Sequence, residues 1–195
     1  MTFITEDRDE ALFFREMSKL SDRIVGLLAP VLIERRLLAL IKSRWTDTKT
    51  RGGSVFSEIF NSSGELGSHD ARLRIGLAMN LYSSAGFEEM RYVNKIRNTF
   101  AHDLGAHDFA SQKISDLMQH LKLVDSFPAP ASFSMTTSEG KTEEEALDGM
   151  WGVFIETSAI PDRNTARNRF LRSIEIFSIL LYREITDPSK GTPRF

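Results

Sequence analysis

Apolar side chains recur at intervals of three and four residues along most of the chain, which is the spacing of an amphipathic α-helix. This spacing predicts long helices over about residues 6–20, 21–44, 70–83, 87–101, 108–123 and 162–185, and shorter ones over 55–60 and 143–157. No stretch alternates apolar and polar residues as a half-buried strand does. The pattern therefore predicts an all-α fold, a helical bundle of about six or seven helices.

Proline, glycine and serine mark the predicted boundaries. Pro30 should kink the second helix or start a new one, and Gly86 should separate the third predicted helix from the fourth. Residues 46–54, 61–68 and 126–141 are rich in turn-forming residues and should be loops. We expect residues 1–123 to form a helical core, and residues 124–195 to form a linker followed by a C-terminal helical extension.

Composition and charge narrow the function classes. The chain has 195 residues, no cysteine and a formal net charge of -2, so disulfides, thiolate metal sites and a broad basic surface for DNA are not expected. Its N-terminus lacks a basic and apolar leader, and its most apolar stretch, residues 24–33, is too short to span a membrane. We expect a cytoplasmic protein without a membrane segment.

The most specific stretch is Ile-Arg-Asn-Thr-Phe-Ala-His-Asp, residues 96–103. It resembles the Ile-Arg-Asn-x-Phe-Ala-His motif of the mannitol operon repressor family. Residues 21–23 with Glu34 and Leu37, and residues 64–68 with 71–75, resemble the flanking helix and loop of that family, so the resemblance covers roughly residues 10–123. His69-Asp70 departs from the residues that commonly follow the loop. The resemblance implies a helical transcriptional regulator rather than a metabolic enzyme.

The same residues fit a shorter pattern, because Arg97, Asn98 and His102 are arranged as in HEPN-like ribonucleases of toxin or defence systems. Under this alternative, His102 would move a proton during RNA cleavage and Arg97 would stabilise the phosphate, while Asn98 orients either group. The 2′-hydroxyl of RNA would be the nucleophile, so no metal is required.

A structural interpretation competes with the catalytic one. On a helix, Arg97 falls within the arc formed by Met90, Val93, Ile96 and Phe100, and an inward-pointing guanidinium needs a partner. We expect Arg97 to pair with Asp22 or Glu34 and to hold two helices in register, with His102 capping the helix C-terminus. The residues assigned to this structural set are Asp22, Glu34, Arg97, Asn98, Phe100 and His102.

Other candidates are less specific. His102 and His107 with Asp103 and Asp108 lack the i, i+4 spacing of a helical zinc site, so no metal is expected. Trp45 and Trp151 are interpreted as packing residues. No Gly-rich phosphate loop or nucleophile elbow occurs, and no cofactor is expected.

A row of arginines opens the last predicted helix, and its members are Arg163, Arg167, Arg169 and Arg172. It could contact a phosphate backbone, but a solvated face paired with the acidic residues of 143–148 is the favoured interpretation.

The sequence thus favours a repressor-like regulator that acts through a protein partner, because an acidic chain without a recognisable DNA-reading module is poorly suited to direct base readout. Direct DNA binding and homodimer formation stay open, and RNA is a partner only under the ribonuclease alternative.

Overall fold

The computed structural model describes residues 13–14, 16–17, 19–50, 53–103, 105, 108–126 and 165–186, and helices dominate this part of the chain. The prediction of an all-α bundle is confirmed. Its helices are α1 (Asp22–Leu28), α2 (Pro30–Arg44), α3 (Val55–Phe60), α4 (His69–Ala78), α5 (Ser84–His102), α6 (Gln112–Met118), α7 (Leu123–Ser126) and α8 (Ala166–Thr186). Residues 13–14 and 16–17 are also helical, whereas the predicted helix over 143–157 lies outside the described residues.

The C-terminal helix belongs to the same core as the N-terminal helices. Helix α8 packs mainly against α2, and its residues Phe170, Ile174 and Phe177 are fully buried in the cluster that contains Leu37 and Ile96. Helix α8, which belongs to the segment 124–195 expected to form a linker and a C-terminal helical extension, therefore packs into the same buried cluster as the helices of residues 1–123. Helices α2 and α8 bury their apolar faces against each other.

Pro30 starts a new helix, which is one of the two outcomes that the sequence predicts. Helix α1 ends at Leu28, Ala29 keeps α-helical dihedral angles, and Pro30 occupies the first turn of α2, where its missing N–H costs nothing. Ser21 stands at the N-cap of α1 but makes no capping hydrogen bond through its side chain.

Gly86 does not separate two helices, so this prediction is wrong. Helix α5 already begins at Ser84, and the Oγ atom of its N-cap residue Ser83 accepts a hydrogen bond from the Gly86 N–H at 3.2 Å. A glycine is easily accommodated in this first turn because the serine cap satisfies its N–H. The preceding helix α4 ends earlier than predicted, and Asn80 follows with a φ of 58°.

Two further boundaries differ from the predictions. The predicted loop over 46–54 contains a short two-stranded antiparallel sheet, in which Lys49–Thr50 (β1) pairs with Gly53–Ser54 (β2). The helix predicted over 108–123 is shorter than expected, since α6 covers Gln112–Met118. A separate turn, α7, begins at Leu123, where the Glu89 carboxylate accepts the Leu123 N–H at 2.9 and 3.0 Å. Both are local hydrogen-bonding effects that hydrophobic periodicity does not record.

Within the described ranges, none of the helices combines the length and the apolar character that crossing a membrane requires.

Candidate functional site around Arg97 and His69

Helix α5 carries the motif residues on different faces. Ile96 and Phe100 are fully buried, Arg97 is partly buried, and Asn98 and His102 are exposed. The buried face of α5 packs against α1, α4 and α6. Arg97 therefore lies at the border between the core and the solvent, close to α4.

Arg97 does not form the expected ion pair with Asp22 or Glu34. Its Nη1 atom donates a 3.3 Å hydrogen bond to the amide oxygen of Asn98, and no carboxylate of the described residues lies within ion-pair distance of it. The expectation of a buried ion pair is wrong because Arg97 keeps access to solvent, so its charge needs no internal counter-charge.

Asp22 instead organises a contact between three distant segments. Its Oδ1 atom accepts a hydrogen bond from Arg167 Nη1 at 2.8 Å, and its Oδ2 atom accepts the Phe109 N–H at 3.0 Å. The partner of Asp22 is therefore Arg167 and not the expected Arg97. Sequence reasoning missed this pair because 145 residues separate its members.

Phe100 is the structural residue of the motif. Its ring is completely buried, packs edge-on against Phe109 with a centroid separation of 5.0 Å, and lies directly over Gly26 on α1. A Cβ atom at position 26 would overlap the Phe100 ring, so the glycine allows α1 and α5 to approach closely.

Glu34 lies beside a residue that the sequence did not single out as a candidate. Its Oε1 atom is 3.8 Å from Nδ1 of His69, a distance too long for a hydrogen bond. The His69 side chain is only 10% exposed, and its Nδ1 atom has no hydrogen-bond partner. Only the departure from the family pattern at this position drew attention to His69 in the sequence.

His69 is held in its neutral form. Burial lowers its pKa to about 4, and the positive charges of Arg72 and Arg97 contribute in the same direction. The negative charge of Asp70 opposes them weakly. With a neutral ring, the contact with Glu34 is not an ion pair at neutral pH.

His102 is not brought together with Arg97. It is the last residue of α5, the C-cap is Asp103, and His102 makes no hydrogen bond within the described part of the chain, so the predicted capping role is not observed. Five residues along an α-helix correspond to a rotation of about 140°, so Arg97 and His102 point to different sides of α5. A single copy of the chain therefore does not form the proposed catalytic pair.

The arginine row at the start of α8 is not a solvated face. Arg167 binds Asp22, Arg169 binds Asp125 through two hydrogen bonds of 2.6 Å, and Arg172 binds Glu175. The acidic residues of 143–148 that were expected as partners lie outside the described residues. Arg163 lies outside the described residues. The paired arginines are poorly available to a phosphate backbone.

The acidic residues near His102 have ordinary local partners. Asp103 contacts Lys113 at 2.9 Å and accepts the Gly105 N–H, while Asp108 accepts the Ser111 N–H. His107 and Trp151 lie outside the described residues. Trp45 packs edge-on against Phe56 and Phe60, in agreement with its interpretation as a packing residue.

Comparison with models of protein families, with curated proteins and with solved structures finds no match for this chain.

Proposed function

We propose that this protein is a transcriptional regulator of the mannitol operon repressor type that acts by binding another protein. The motif of residues 96–103 suggests this class, and the single observation in favour of a protein partner is an exposed apolar stripe on α1 and α2. We define the stripe as Ile24, Leu28 and Val31, whose relative exposures are 42%, 43% and 39%.

The stripe has the geometry of a helix-binding surface. Its residues follow one another at i, i+4 and i+7, which places them on one side of the nearly continuous α1–α2 pair. An amphipathic helix of a partner presents apolar residues at the same spacing and buries them in such a contact. Burying three large aliphatic side chains would stabilise the complex through the hydrophobic effect.

Charge indicates the chemistry of the partner helix. Arg23 and Arg35 flank the stripe, and neither has a carboxylate partner within the described ranges. An amphipathic helix with acidic residues beside its apolar face would pair with both arginines, and this complementarity would accelerate and orient association. We assign the stripe to such an acidic amphipathic helix of a second protein.

The test combines repression with site-specific crosslinking. A strain deleted for the gene is complemented with wild type, with Leu28→Glu or with Ala85→Glu, and transcripts of the mannitol operon are quantified. Ala85 is exposed in the first turn of α5, where an acidic residue is compatible with the helix dipole, so it is a matched control. We expect Leu28→Glu to lose repression and Ala85→Glu to retain it.

A photo-crosslinking residue at position 28 then identifies the partner, with position 85 as the control. Binding of the purified partner should be abolished by Leu28→Glu and weakened by Arg35→Glu. Repression by Leu28→Glu at the wild-type level would contradict the proposal. So would sequence-specific operator binding by the purified protein alone with a steep salt dependence.

One observation favours a metal-independent ribonuclease as a second candidate. The Arg97 guanidinium is not neutralised by a carboxylate of the described residues and lies beside the exposed Asn98, so it is available to a phosphate. In this scheme the 2′-hydroxyl of RNA gives its proton to water as its oxygen attacks phosphorus, the bond to the 5′-oxygen breaks to leave a 2′,3′-cyclic phosphate, and protonated His102 donates its proton to the leaving 5′-oxygen. Since Arg97 and His102 diverge on one helix, the cleft would have to form between two copies of the chain.

Cleavage of a structured RNA pool tests the second candidate. Wild type is compared with His102→Ala and with His120→Ala, which removes another exposed histidine. Cleavage by wild type and His120→Ala but not by His102→Ala supports the ribonuclease. Intact RNA with wild-type protein, at concentrations where it is dimeric, rejects it.

A further inference from the structure

An exposed histidine ring is stacked against helix α5. The His120 ring lies parallel to the Tyr92 ring, with a centroid separation of 3.9 Å and an interplanar angle of 6°. His120 follows α6 and is exposed, whereas Tyr92 on α5 is only partly exposed. Tyr92 therefore covers one face of the His120 ring, and the other face is directed away from α5.

The backbone that follows His120 is fixed by contacts with other helices. Leu121 is completely buried, and its carbonyl oxygen accepts a 2.7 Å hydrogen bond from Arg169 Nη2 on α8. Two residues further along the chain, the Glu89 carboxylate on α5 accepts the Leu123 N–H at 2.9 Å. The exposed ring is thus preorganised, so a ligand that stacks on it does not have to order the protein segment that carries it.

The free face of His120 has the properties of a stacking surface for a ligand. No second ring and no cation of the described residues lies over this face, and the imidazole nitrogens make no hydrogen bond there. Another flat aromatic group covers such a face favourably, because stacking removes apolar surface from water. Nucleobases stack on aromatic side chains of proteins in this way. A purine has the larger ring system of the two base types and therefore gives the larger overlap.

Two exposed lysines supply positive charge beside the stack. The Lys95 Nζ atom lies 4.2 Å from the centroid of the Tyr92 ring. Because His120 already covers one face of that ring at a similar distance, Lys95 lies over the opposite face. Lys122 is exposed two residues after His120. Neither lysine has a carboxylate within ion-pair distance in the part of the chain that the structure describes, so both are available to an anion.

Acidic residues limit the size of the ligand that this surface accepts. Asp116 and Glu88 are exposed, four residues before His120 and Tyr92 respectively. A single strand of nucleic acid is bound by several aromatic rings along a continuous positively charged groove. Here one free ring face and two lysines are bounded by negative charges. The surface therefore suits a single nucleotide rather than a strand.

We infer that Tyr92, Lys95, His120 and Lys122 form a binding site for a purine nucleoside triphosphate. We call these residues the His120 site. The base stacks on the free face of His120, and the phosphate chain follows the edge of the stack towards the two lysines, which bind phosphate oxygens. Because Lys95 lies beyond the Tyr92 ring, a triphosphate chain reaches it and a single phosphate does not. The site does not include the apolar stripe and does not depend on the proposed partner.

NMR spectroscopy follows binding at the site itself. The purified full chain, isotope-labelled, is titrated with ATP and, in separate arms, with GTP, AMP and inorganic triphosphate. We expect saturable shifts of the His120 and Tyr92 ring signals with ATP or GTP, and weaker binding of AMP. Inorganic triphosphate has no base and should not produce these ring shifts.

Three outcomes of the titrations would overturn the inference. The first is the absence of a saturable His120 ring shift at millimolar ATP and GTP. The second is an equal ring shift with inorganic triphosphate, which would show that no base stacks. The third is tighter binding of a single-stranded oligonucleotide than of either triphosphate, which would assign the surface to a strand.

Variants separate stacking from charge. His120→Ala should weaken ATP binding about tenfold, and His120→Phe should restore it because the stacking ring is kept. Lys95→Gln should weaken ATP binding more than AMP binding. Lys42→Gln is the matched control, since Lys42 is also exposed and lies 5.8 Å from the centroid of the Phe56 ring, but that ring is buried.

Circular dichroism verifies that each variant is folded, and Lys42→Gln should bind ATP as wild type does. Unchanged ATP affinity of His120→Ala would contradict the stacking of the base. Equal losses in Lys95→Gln and Lys42→Gln would mean that the ligand responds only to the total charge of the protein, and this result would also overturn the inference.

Discussion

Arg167 Nη1 donates a 2.8 Å hydrogen bond to Asp22 Oδ1 and thereby joins the first turn of α8 to the first turn of α1. Arg167 also donates to the carbonyl oxygen of Met17 at 2.8 Å. The second carboxylate oxygen of Asp22 accepts the Phe109 N–H at 3.0 Å. The partly exposed Asp22–Arg167 ion pair, together with the hydrogen bond from Phe109, therefore connects the beginning, the middle and the end of the described chain.

We expect Asp22→Ala to lower the free energy of unfolding by about 1–3 kcal/mol, because it removes two charge-assisted hydrogen bonds. Solvent screening limits the loss, since both side chains are about a quarter exposed, at 22% and 23%. Urea unfolding measures the effect. The matched control is Asp70→Ala, which breaks a largely exposed pair with Arg74 and should cost well under about 1 kcal/mol. Equal losses in the two variants would show that the Asp22 contact has no special role.

Gly26→Ala should destabilise the protein, because the new methyl group would overlap the Phe100 ring. We expect a loss of about 1–3 kcal/mol, the usual cost of overpacking. The double variant with Phe100→Leu should lose less than the sum of the two single variants, since the smaller side chain makes room for the methyl group.

Thermal unfolding of the two single variants and the double variant measures the coupling between Gly26 and Phe100. Gly105→Ala is the control, because among the described residues its Cβ atom would contact the Asp103 side chain alone, at 3.3 Å. Strict additivity of the Gly26 and Phe100 effects would contradict the close approach of α1 and α5.

Hydrophobic periodicity predicted the helices well because each of them buries one face. Ile96 and Phe100 on α5 and Ile174 on α8 are buried as their spacing indicates. The same periodicity failed at Leu28 and Val31, which are apolar but exposed. Spacing along a helix shows that apolar residues share a face, but it does not show what covers that face.

The candidate site was only partly predictable. The sequence placed Arg97 within an apolar arc and predicted an inward-pointing guanidinium, whereas the side chain is partly exposed. Its expected partners are engaged elsewhere, since Asp22 pairs with Arg167 and Glu34 lies beside His69. Such partners depend on how helices distant in sequence cross, and one sequence does not contain that information. His69 was missed because spacing along α4 does not show which helices cover it, and α4 packs against α2 and α5.

Ser83→Ala should destabilise α5 by about 1 kcal/mol, because the Ser83 side chain accepts the Gly86 N–H at the helix N-terminus. Ser21→Ala is a matched control: Ser21 is also an N-cap residue, but its side chain makes no capping hydrogen bond. Chemical denaturation should show a clear loss for Ser83→Ala and almost none for Ser21→Ala. Similar values for both variants would mean that the capping hydrogen bond of Ser83 contributes little.

His69 should make the stability of the protein depend on pH between 6.5 and about 4. Its pKa is lowered from 6.5 to about 4 in the folded protein, chiefly by burial, so the unfolded chain binds its proton first as the pH falls. The free energy of unfolding should therefore decrease from pH 6.5 downwards, by roughly 3 kcal/mol in total once the pH lies below the folded-state value. Above pH 6.5 this contribution is constant.

The measurement is urea unfolding in phosphate-free buffers from pH 4 to 7.5, with wild type, His69→Gln and His120→Gln. Glutamine does not titrate, so the difference in unfolding free energy between wild type and His69→Gln isolates the histidine from the carboxylates that titrate in the same range. This difference should shrink as the pH falls, because only wild type must keep a buried ring unprotonated. His120→Gln is the control for removal of an exposed histidine. Parallel curves for wild type and His69→Gln would contradict the prediction, because they would mean that the His69 pKa is the same in the folded and the unfolded protein. A difference that grows as the pH falls would mean that the protonated ring is paired with Glu34.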